Sequence, residues 1–184
     1  MDSSKIRKFM KLGGQNLAET FRTATEAERK LGARLLLSEV LEYVIYGLGV
    51  EPEVGGTRIK DPDGLSYHCV QEPDQLAMLD GLADTAYTMY WNKEAFGLAL
   101  EEAFDAVCDN NLDKFVRLTQ WAEGGRMLDP AEWDCGLGVK WPPEVASVSV
   151  LKVEGQWYGV GKDAQGKVRK PSSYKPVDLR AHLR

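Results

Sequence analysis

The chain has 184 residues, of which 43% are hydrophobic and 28% charged, and its formal net charge at pH 7 is −5. This length and composition predict one globular domain with appendages and exclude a disordered or fibrous chain. The acidic balance, without a local stripe of Lys and Arg, disfavours binding to duplex nucleic acid.

Two stretches of the sequence bear on where the protein is located in the cell. Residues 1–5 lack the apolar segment of a signal peptide, and the longest apolar stretch, 35–50, is too short to span a bilayer. The chain has three cysteines without Cys-x-x-Cys spacing and only two histidines, which favours ordinary thiols over a zinc site or a disulfide framework. We expect a cytoplasmic protein without a membrane partner.

Two helices are predicted at the start of the chain. A short amphipathic helix covers residues 3–12 and stops at Gly13-Gly14, because paired glycines supply the left-handed C-cap. A long helix covers about 25–48. It begins at Thr25, which forms the pattern of a capping box with Glu28.

A small β-hairpin is predicted to separate these helices from two more. Its strands are 57–60 and 65–70, on either side of the turn signal Asp-Pro-Asp-Gly at 61–64. The third helix runs from about 73 to 91 and the fourth from about 98 to 111.

The last third of the chain has a different character. After residue 117 it becomes rich in Gly, Pro and Trp without helical periodicity, and two Val-rich strands, 148–153 and 156–160, predict a second hairpin. The basic tail, 167–184, is expected to be extended and wrapped on the body. We therefore predict a mainly α fold, an antiparallel helical bundle with one or two small β-hairpin inserts and an extended C-terminal tail. Its two parts are a helical core of residues 1–117, with a hairpin insert at about 55–70, and a region of residues 118–184 packed on that core.

Paired acids stand on two of the predicted helices. Glu39 and Glu42 share a strip of the second helix, which is otherwise apolar nearly all round and is therefore expected to be buried. Asp80 and Asp84 share a strip of the third helix. If these helices pack antiparallel, all four carboxylates meet at one level, and converging carboxylates are ligands that Mg²⁺ prefers. The alternative is that the acids lie on a solvated surface.

These motifs resemble a known family. The segments 35–43, Leu-Leu-Leu-Ser-Glu-Val-Leu-Glu-Tyr, and 79–85, Leu-Asp-Gly-Leu-Ala-Asp-Thr, are similar to the MazG-like, phosphoribosyl-ATP-pyrophosphohydrolase-like all-α nucleotide pyrophosphohydrolases. That family carries Glu-x-x-Glu on one helix and Glu-x-x-Asp on the next. Gly81 departs from the pattern because it stands where the third acid is expected, and Asp80 is the neighbouring candidate. Ser38 also replaces an additional Glu that is common before the first motif.

Three further segments resemble phage and bacterial versions of the family. They are Phe-Met-x-x-x-Gly-Gln at 9–15, Asp-Asn-Asn-Leu-Asp-Lys at 109–114, and the ending that comprises Gly-Lys-Val-x-Lys-Pro at 166–171 and Pro-x-Asp-Leu at 176–179. Cys108 replaces a His that is frequent in those relatives. The resemblance leaves out 118–160. It implies that Asn111 and Lys114 bind the substrate phosphates, although Lys114 alone is equally typical of a cation at a helix C-terminus.

The resemblance implies an enzyme that hydrolyses a nucleoside triphosphate, or a related nucleotide, to the monophosphate and pyrophosphate. Glu39, Glu42, Asp80 and Asp84 would hold Mg²⁺, with Mn²⁺ as a substitute, and Glu39 and Glu42 would be catalytic. We also expect a homo-oligomer, most simply a dimer. Two alternatives stay open: a catalytically degenerate member that senses nucleotides or binds a protein, and a structural helical protein whose tryptophans at 118–160 bind a partner.

Overall fold

A computed structural model describes residues 3–183 of the chain. It divides into two compact units. Unit 1 comprises Met1–Ala18 and Ala86–Arg184, and unit 2 comprises Glu19–Thr85. The division falls within a helix, after Thr85.

Regular elements occur throughout the described residues. The helices are α1 (Ser4–Gly13), α2 (Glu26–Glu42), α3 (Gln75–Phe96) and α4 (Leu100–Leu112). The strands are β1 (Glu53–Val54), β2 (Thr57–Arg58), β3 (Val116–Leu118), β4 (Arg126–Met127), β5 (Val145–Val153) and β6 (Gln156–Asp163). Within residues 3–183 no helix is both long and apolar enough to cross a membrane.

The two N-terminal helices begin and end at the predicted signals. Gly14 adopts the left-handed conformation with φ 65°, and its N–H donates to the carbonyls of the last turn of α1. The Thr25 side chain accepts a hydrogen bond from the Glu28 N–H at 3.2 Å, and the Glu28 carboxylate accepts one from the Thr25 N–H at 2.9 Å. The stop of the first helix and the capping box of the second are therefore confirmed. Beyond α2 the chain continues as a π-helix, Tyr43–Gly47.

The hairpin in unit 2 differs from the prediction. β1 pairs with β2 through Glu53↔Arg58 and Val54↔Thr57, and the turn is made by Gly55 and Gly56, both with positive φ. Residues 65–70 form no strand. The Asp-Pro-Asp-Gly turn at 61–64 does form, since Gly64 N–H donates to the Asp61 carbonyl, but no strand follows it to pair back.

The core of unit 1 is a four-stranded antiparallel sheet in the order β3-β6-β5-β4. The predicted C-terminal hairpin is confirmed as its centre: β5 and β6 pair along their length around the turn Glu154-Gly155, whose residues have φ 52° and 82°. One face of the sheet packs against α1 and α4 around Leu12, Phe115 and Val160. The other face is covered by the tryptophan-rich segment between β3 and β5.

The mainly α helical bundle predicted from the sequence is wrong: the fold is α+β. The prediction rested on long apolar helices and treated the sheet as an appended hairpin. Val148, Val150 and Val160 are among the most buried residues of the chain, whereas α2 contributes only Leu41 to the buried set. Alternate residues of β5 and β6 face opposite sides, so these two strands supply a core in both directions. The boundary predicted after residue 117 lies inside β3 and stays a prediction.

The C-terminal tail belongs to unit 1 and is held there by hydrogen bonds. Val168 forms an isolated antiparallel bridge with Lys162, and the Arg169 N–H donates to the Gly161 carbonyl at 2.9 Å. Asp163, whose side chain is almost fully buried, accepts hydrogen bonds from the Lys167 N–H and the Arg169 guanidinium. Burial alone would raise the pKa of Asp163, but these hydrogen bonds lower it. The carboxylate therefore stays ionised and fixes the start of the tail.

Candidate functional site

The four predicted metal ligands lie on the helices of unit 2 and point to solvent. Glu39 and Glu42 are exposed residues of α2, and Asp80 and Asp84 are exposed residues of α3. None of the four forms an ion pair with any residue from 3 to 183. Because Glu39 and Glu42 are exposed, their folding carries no cost of burying an unpaired charge. The expectation that α2 is largely buried is thus wrong for the single chain.

The exposure of the acids is part of a wider exposure of both helices. Leu35 on α2 is 54% exposed, and Leu76 and Leu79 on α3 are 75% and 66% exposed. Within unit 2, α2 and the part of α3 up to Thr85 are not packed against each other. The antiparallel packing that would bring four carboxylates to one level is therefore not seen within one chain.

The four acids have suitable chemistry for binding Mg²⁺, but they are not grouped into a site within the described chain. Carboxylate oxygens free of a cationic partner are donors of the kind that Mg²⁺ takes. Among the described residues, however, no three His, Cys, Asp or Glu side chains are grouped so that they could hold one ion. The described residues of one chain include suitable donor groups but do not bring them close enough to coordinate one ion. The magnesium site therefore stays a prediction.

The π-helix after Glu42 changes the predicted strip on α2. At about 100° per residue, an uninterrupted α-helix would bring Tyr46 into line with Glu39 and Glu42. The wider turn that begins at Tyr43 breaks this count. Tyr46 is 70% exposed, as is Tyr87 on α3, so neither aromatic side chain is a core residue of the single chain.

In unit 1, the two predicted substrate-binding residues form one contact. Lys114 Nζ donates a 2.6 Å hydrogen bond to Asn111 Oδ1, and both side chains are partly buried at the C-terminal end of α4. The ammonium of Lys114 also lies 5.6 Å from the centroid of the Phe9 ring, on the side of the sheet covered by α1. A cation-π contact of this kind holds the lysine without neutralising its charge.

The end of α1 lies beside the start of the tail in the same unit. A Cβ at Gly13 would be 3.7 Å from Val168 Cγ2, and a Cβ at Gly14 would be 3.0 Å from Lys162 Nζ. Three sequence segments that carry the family resemblance are therefore neighbours on one face of the sheet: 9–15, 109–114 and the start of the ending at 166–171. No motif in the sequence marks Lys162 of β6 as a neighbour of these segments.

A second connection ties the tail to α4. The Tyr174 hydroxyl donates a 2.6 Å hydrogen bond to Asn110 Oδ1, and Asn110 Nδ2 donates a 2.6 Å hydrogen bond to the Lys175 carbonyl. Lys170 lies 4.8 Å from the centroid of the Tyr174 ring. Asn110 stands in the resembling segment 109–114, and Tyr174 lies between the two resembling parts of the ending; their pairing was not predicted.

The tryptophans of the 118–160 region serve the core. Four of them are partly buried against the core cluster on the face of the sheet opposite α1. They are Trp121, Trp133, Trp141 and Trp157. The indole nitrogens of Trp121, Trp133 and Trp141 each donate to a backbone carbonyl, at 2.7, 3.2 and 2.8 Å. Buried indoles with satisfied N–H groups are typical of packing, so the structure gives no support to the third interpretation, a tryptophan-based binding surface.

The three cysteines differ in their exposure to solvent. Cys69 is partly exposed, and Cys108 and Cys135 are buried; all three are free thiols. Burial, with a smaller effect of the neighbouring Asp134, raises the pKa of the Cys135 thiol to about 11. A thiol in this state is a poor nucleophile at neutral pH.

Comparison of the chain with protein-family models found no match, and comparisons with curated proteins and with solved structures found no significant similarity. The resemblance to the all-α pyrophosphohydrolases therefore depends on the motifs themselves.

Proposed function

We propose that the protein is a Mg²⁺-dependent nucleotide pyrophosphohydrolase that cleaves a nucleoside triphosphate, or a related nucleotide, to the monophosphate and pyrophosphate. The observation that carries the proposal is the contact of Lys114 with Asn111 and Phe9. Residues of two separate resembling segments form it, beside the end of α1 and the start of the tail. A common ligand site is the simplest reason for such segments to be neighbours.

The proposal gives each residue a defined role. Lys114 supplies a point charge for a phosphate oxygen, and Asn111, which accepts the lysine hydrogen bond, orients that charge. Glu39, Glu42, Asp80 and Asp84 would hold Mg²⁺, and the bound ion would neutralise phosphate charge and lower the pKa of a coordinated water. Glu39 and Glu42 would position that water.

The proposal includes a homo-oligomer, with a dimer as the simplest case. Long helices with exposed leucines on most sides are unfavourable in water, because each fully buried Leu side chain contributes about 1.5–3 kcal/mol relative to an exposed one. A second copy packed on α2 and α3 would cover these side chains. It would also remove water from around the carboxylates, which strengthens their attraction for a cation. A cytoplasmic location supplies the nucleotides and the Mg²⁺ that the reaction needs.

The direct test is turnover. The full chain is incubated with a panel of ribo- and deoxyribonucleoside triphosphates and Mg²⁺ or Mn²⁺, and pyrophosphate and monophosphate are quantified. We expect both products from at least one nucleotide, with a loss of at least about 100-fold in kcat for Glu42→Gln, since the amide preserves shape but removes the charge. Glu26→Gln is the matched control. Glu26 is an exposed acid on the same helix that pairs with Lys30, and its loss should leave turnover unchanged.

One observation favours a second candidate function, a degenerate protein that binds nucleotides without hydrolysing them. Gly81 stands at the position of the third acid, and among residues 3–183 no nearby carboxylate has taken its place in a cluster. In this case nucleotides would bind and raise the melting temperature through Lys114, and no pyrophosphate would appear with either metal. Pyrophosphate release at a rate that Glu42→Gln does not change would contradict both candidates.

A further inference from the structure

A groove of about 500 Å³ lies in unit 1 along the outer side of β3. β3 is the edge strand of the four-stranded sheet, so this side is not paired with another strand. The walls come from three stretches of chain, 113–117, 137–139 and 173–175. The volume falls within the range typical of small-molecule sites.

Hydrogen bonds tie each wall to the body of unit 1. β3 is paired with β6 over all three of its residues. The Val139 N–H donates to the Asp134 carbonyl at 3.2 Å, and the tail is held at Ser172, whose N–H donates to the Lys140 carbonyl at 2.8 Å. The Asn110 side chain holds the next turn of the tail. The groove is therefore preformed, and a ligand would not have to order its walls.

The polar groups of the groove are dominated by two cations. Arg117 and Lys175 are exposed residues, and neither forms an ion pair with any residue from 3 to 183. Ser173 adds a hydroxyl and Asp113 one carboxylate. The chain as a whole is acidic, with a formal charge of −5, whereas the groove carries two unpaired cations and one acid.

We propose that this groove binds a phosphate monoester that carries a flat polar group, of the size of a nucleoside monophosphate. The Arg117 guanidinium suits bidentate contact with a phosphate, Lys175 adds a second charge and Ser173 a donor. The aliphatic side chains of Leu137 and Val139 offer an apolar wall for a flat ring, and the Asp113 carboxylate accepts a hydrogen bond from an amino or hydroxyl group. Lys114 is not one of the residues that line the groove.

The proposal does not depend on the proposed hydrolysis. A monophosphate has no phosphoanhydride bond, so it is not consumed by that activity, and its binding can be measured at equilibrium on the intact chain. Calorimetric titrations would use nucleoside monophosphates, ribose 5-phosphate, inorganic phosphate and unphosphorylated nucleosides. We expect submillimolar dissociation constants for at least one monophosphate, at least tenfold tighter than for inorganic phosphate or the nucleoside.

Variants test which side chains of the groove bind the monophosphate. Arg117→Gln and Lys175→Gln should each weaken monophosphate binding by at least about fivefold, which is the loss of one charge-assisted contact. Lys167→Gln, which changes an exposed tail lysine outside the groove, should leave monophosphate binding unchanged. The Lys175 change leaves its backbone carbonyl and hence the Asn110 hydrogen bond in place, so this variant keeps the tail attached.

Chemical-shift perturbation by NMR gives an independent readout, with the largest shifts expected in 137–139 and 173–175. The proposal is overturned if no monophosphate binds more tightly than inorganic phosphate. It is equally overturned if Arg117→Gln and Lys175→Gln leave binding unchanged, or if Lys167→Gln weakens binding as much as they do.

Discussion

The Tyr174 hydroxyl lies 2.6 Å from Asn110 Oδ1 and donates a hydrogen bond to it, which joins the tail to the last turn of α4. The same amide donates to the Lys175 carbonyl. One side chain therefore fixes two successive residues of the tail. Loss of that side chain would remove both of these hydrogen bonds.

The Asn110–Tyr174 pair is expected to behave as a coupled unit. Tyr174→Phe and Asn110→Ala should each lower the free energy of unfolding by about 1 kcal/mol, and the double variant should cost less than the sum because the two changes remove the same hydrogen bond. Urea denaturation measures all three. Asn110→Ala should also speed tryptic cleavage in 170–175. Strict additivity of the two changes would contradict a direct bond.

Two glycines should respond in opposite directions to substitution by alanine. A Cβ at Gly161 would overlap the indole ring of Trp141, which packs against that strand. Gly161→Ala should therefore destabilise the protein by about 1–3 kcal/mol, as overpacked cores do. No atom lies within 4 Å of a Cβ at Gly32, in the interior of α2. Gly32→Ala should raise the free energy of unfolding by about 0.5–1 kcal/mol. Thermal unfolding of both variants and of the unchanged protein measures the two effects.

Gly81 allows the missing third acid to be restored. Nothing lies within 4 Å of a Cβ at this position of α3, so Gly81→Glu meets no obstruction and improves helix propensity. Under the proposed function, millimolar Mg²⁺ should raise the melting temperature of Gly81→Glu by more than that of the unchanged protein, because a cation that binds only the folded state stabilises it. Turnover should rise as well.

The control for this experiment is Gly32→Glu, which adds the same side chain to the interior of the other helix. The Gly32→Glu variant gains the same helix propensity and the same negative charge, but at a position away from the paired acids. Equal Mg²⁺ responses in the two variants would mean that the added carboxylate acts only as surface charge, and the assignment of α3 to a metal site would then fail.

Stability should fall in acid through Glu132. The Arg126 guanidinium donates two 2.7 Å hydrogen bonds to this carboxylate, and with the Asp129 N–H it lowers the pKa of Glu132 to about 2. The unfolded chain binds a proton near pH 4.5, so between about pH 4.5 and 2 it holds more protons than the folded chain. Stability from this group is present above that window and is lost as the pH falls through it.

The comparison uses Glu132→Gln, whose free energy of unfolding should show a shallower decline between pH 4.5 and 2 than that of the unchanged protein. Denaturant titrations at several pH values measure this slope. Parallel declines would show that Glu132 does not contribute to acid sensitivity.

Association should depend on the exposed side chains of α3. Leu79 is 66% exposed on this helix, and replacing it with Asp places a charge where the second copy is proposed to pack. Light scattering after size-exclusion chromatography should show a dimer or larger species for the unchanged protein and a shift to monomer for Leu79→Asp. Val70→Asp changes a side chain that is 88% exposed but outside the helices, and it should leave the oligomer intact. A monomeric unchanged protein at tens of micromolar would contradict the proposed dimer.

Local signals in the sequence determined a large part of this protein's secondary structure. The stop at Gly13-Gly14, the Thr25–Glu28 capping box and the hairpin around Glu154-Gly155 were all predicted, and each depends on residues within a few positions of one another. Backbone conformation at glycines and capping hydrogen bonds are short-range effects, so no knowledge of the tertiary structure is needed to predict them.

Only the tertiary structure decided which elements form the core and which residues become neighbours. The nearly continuous apolar surface of α2 predicted its burial, but a helix is buried only if something packs on it, and α2 contributes only Leu41 to the buried residues. In unit 1, α1, α4 and the tryptophans pack on the sheet. The short strands β3 and β4 exist because β5 and β6 offer them edges. Contacts such as Tyr174 with Asn110 join residues 64 positions apart, and their formation depends on the path of the chain between them.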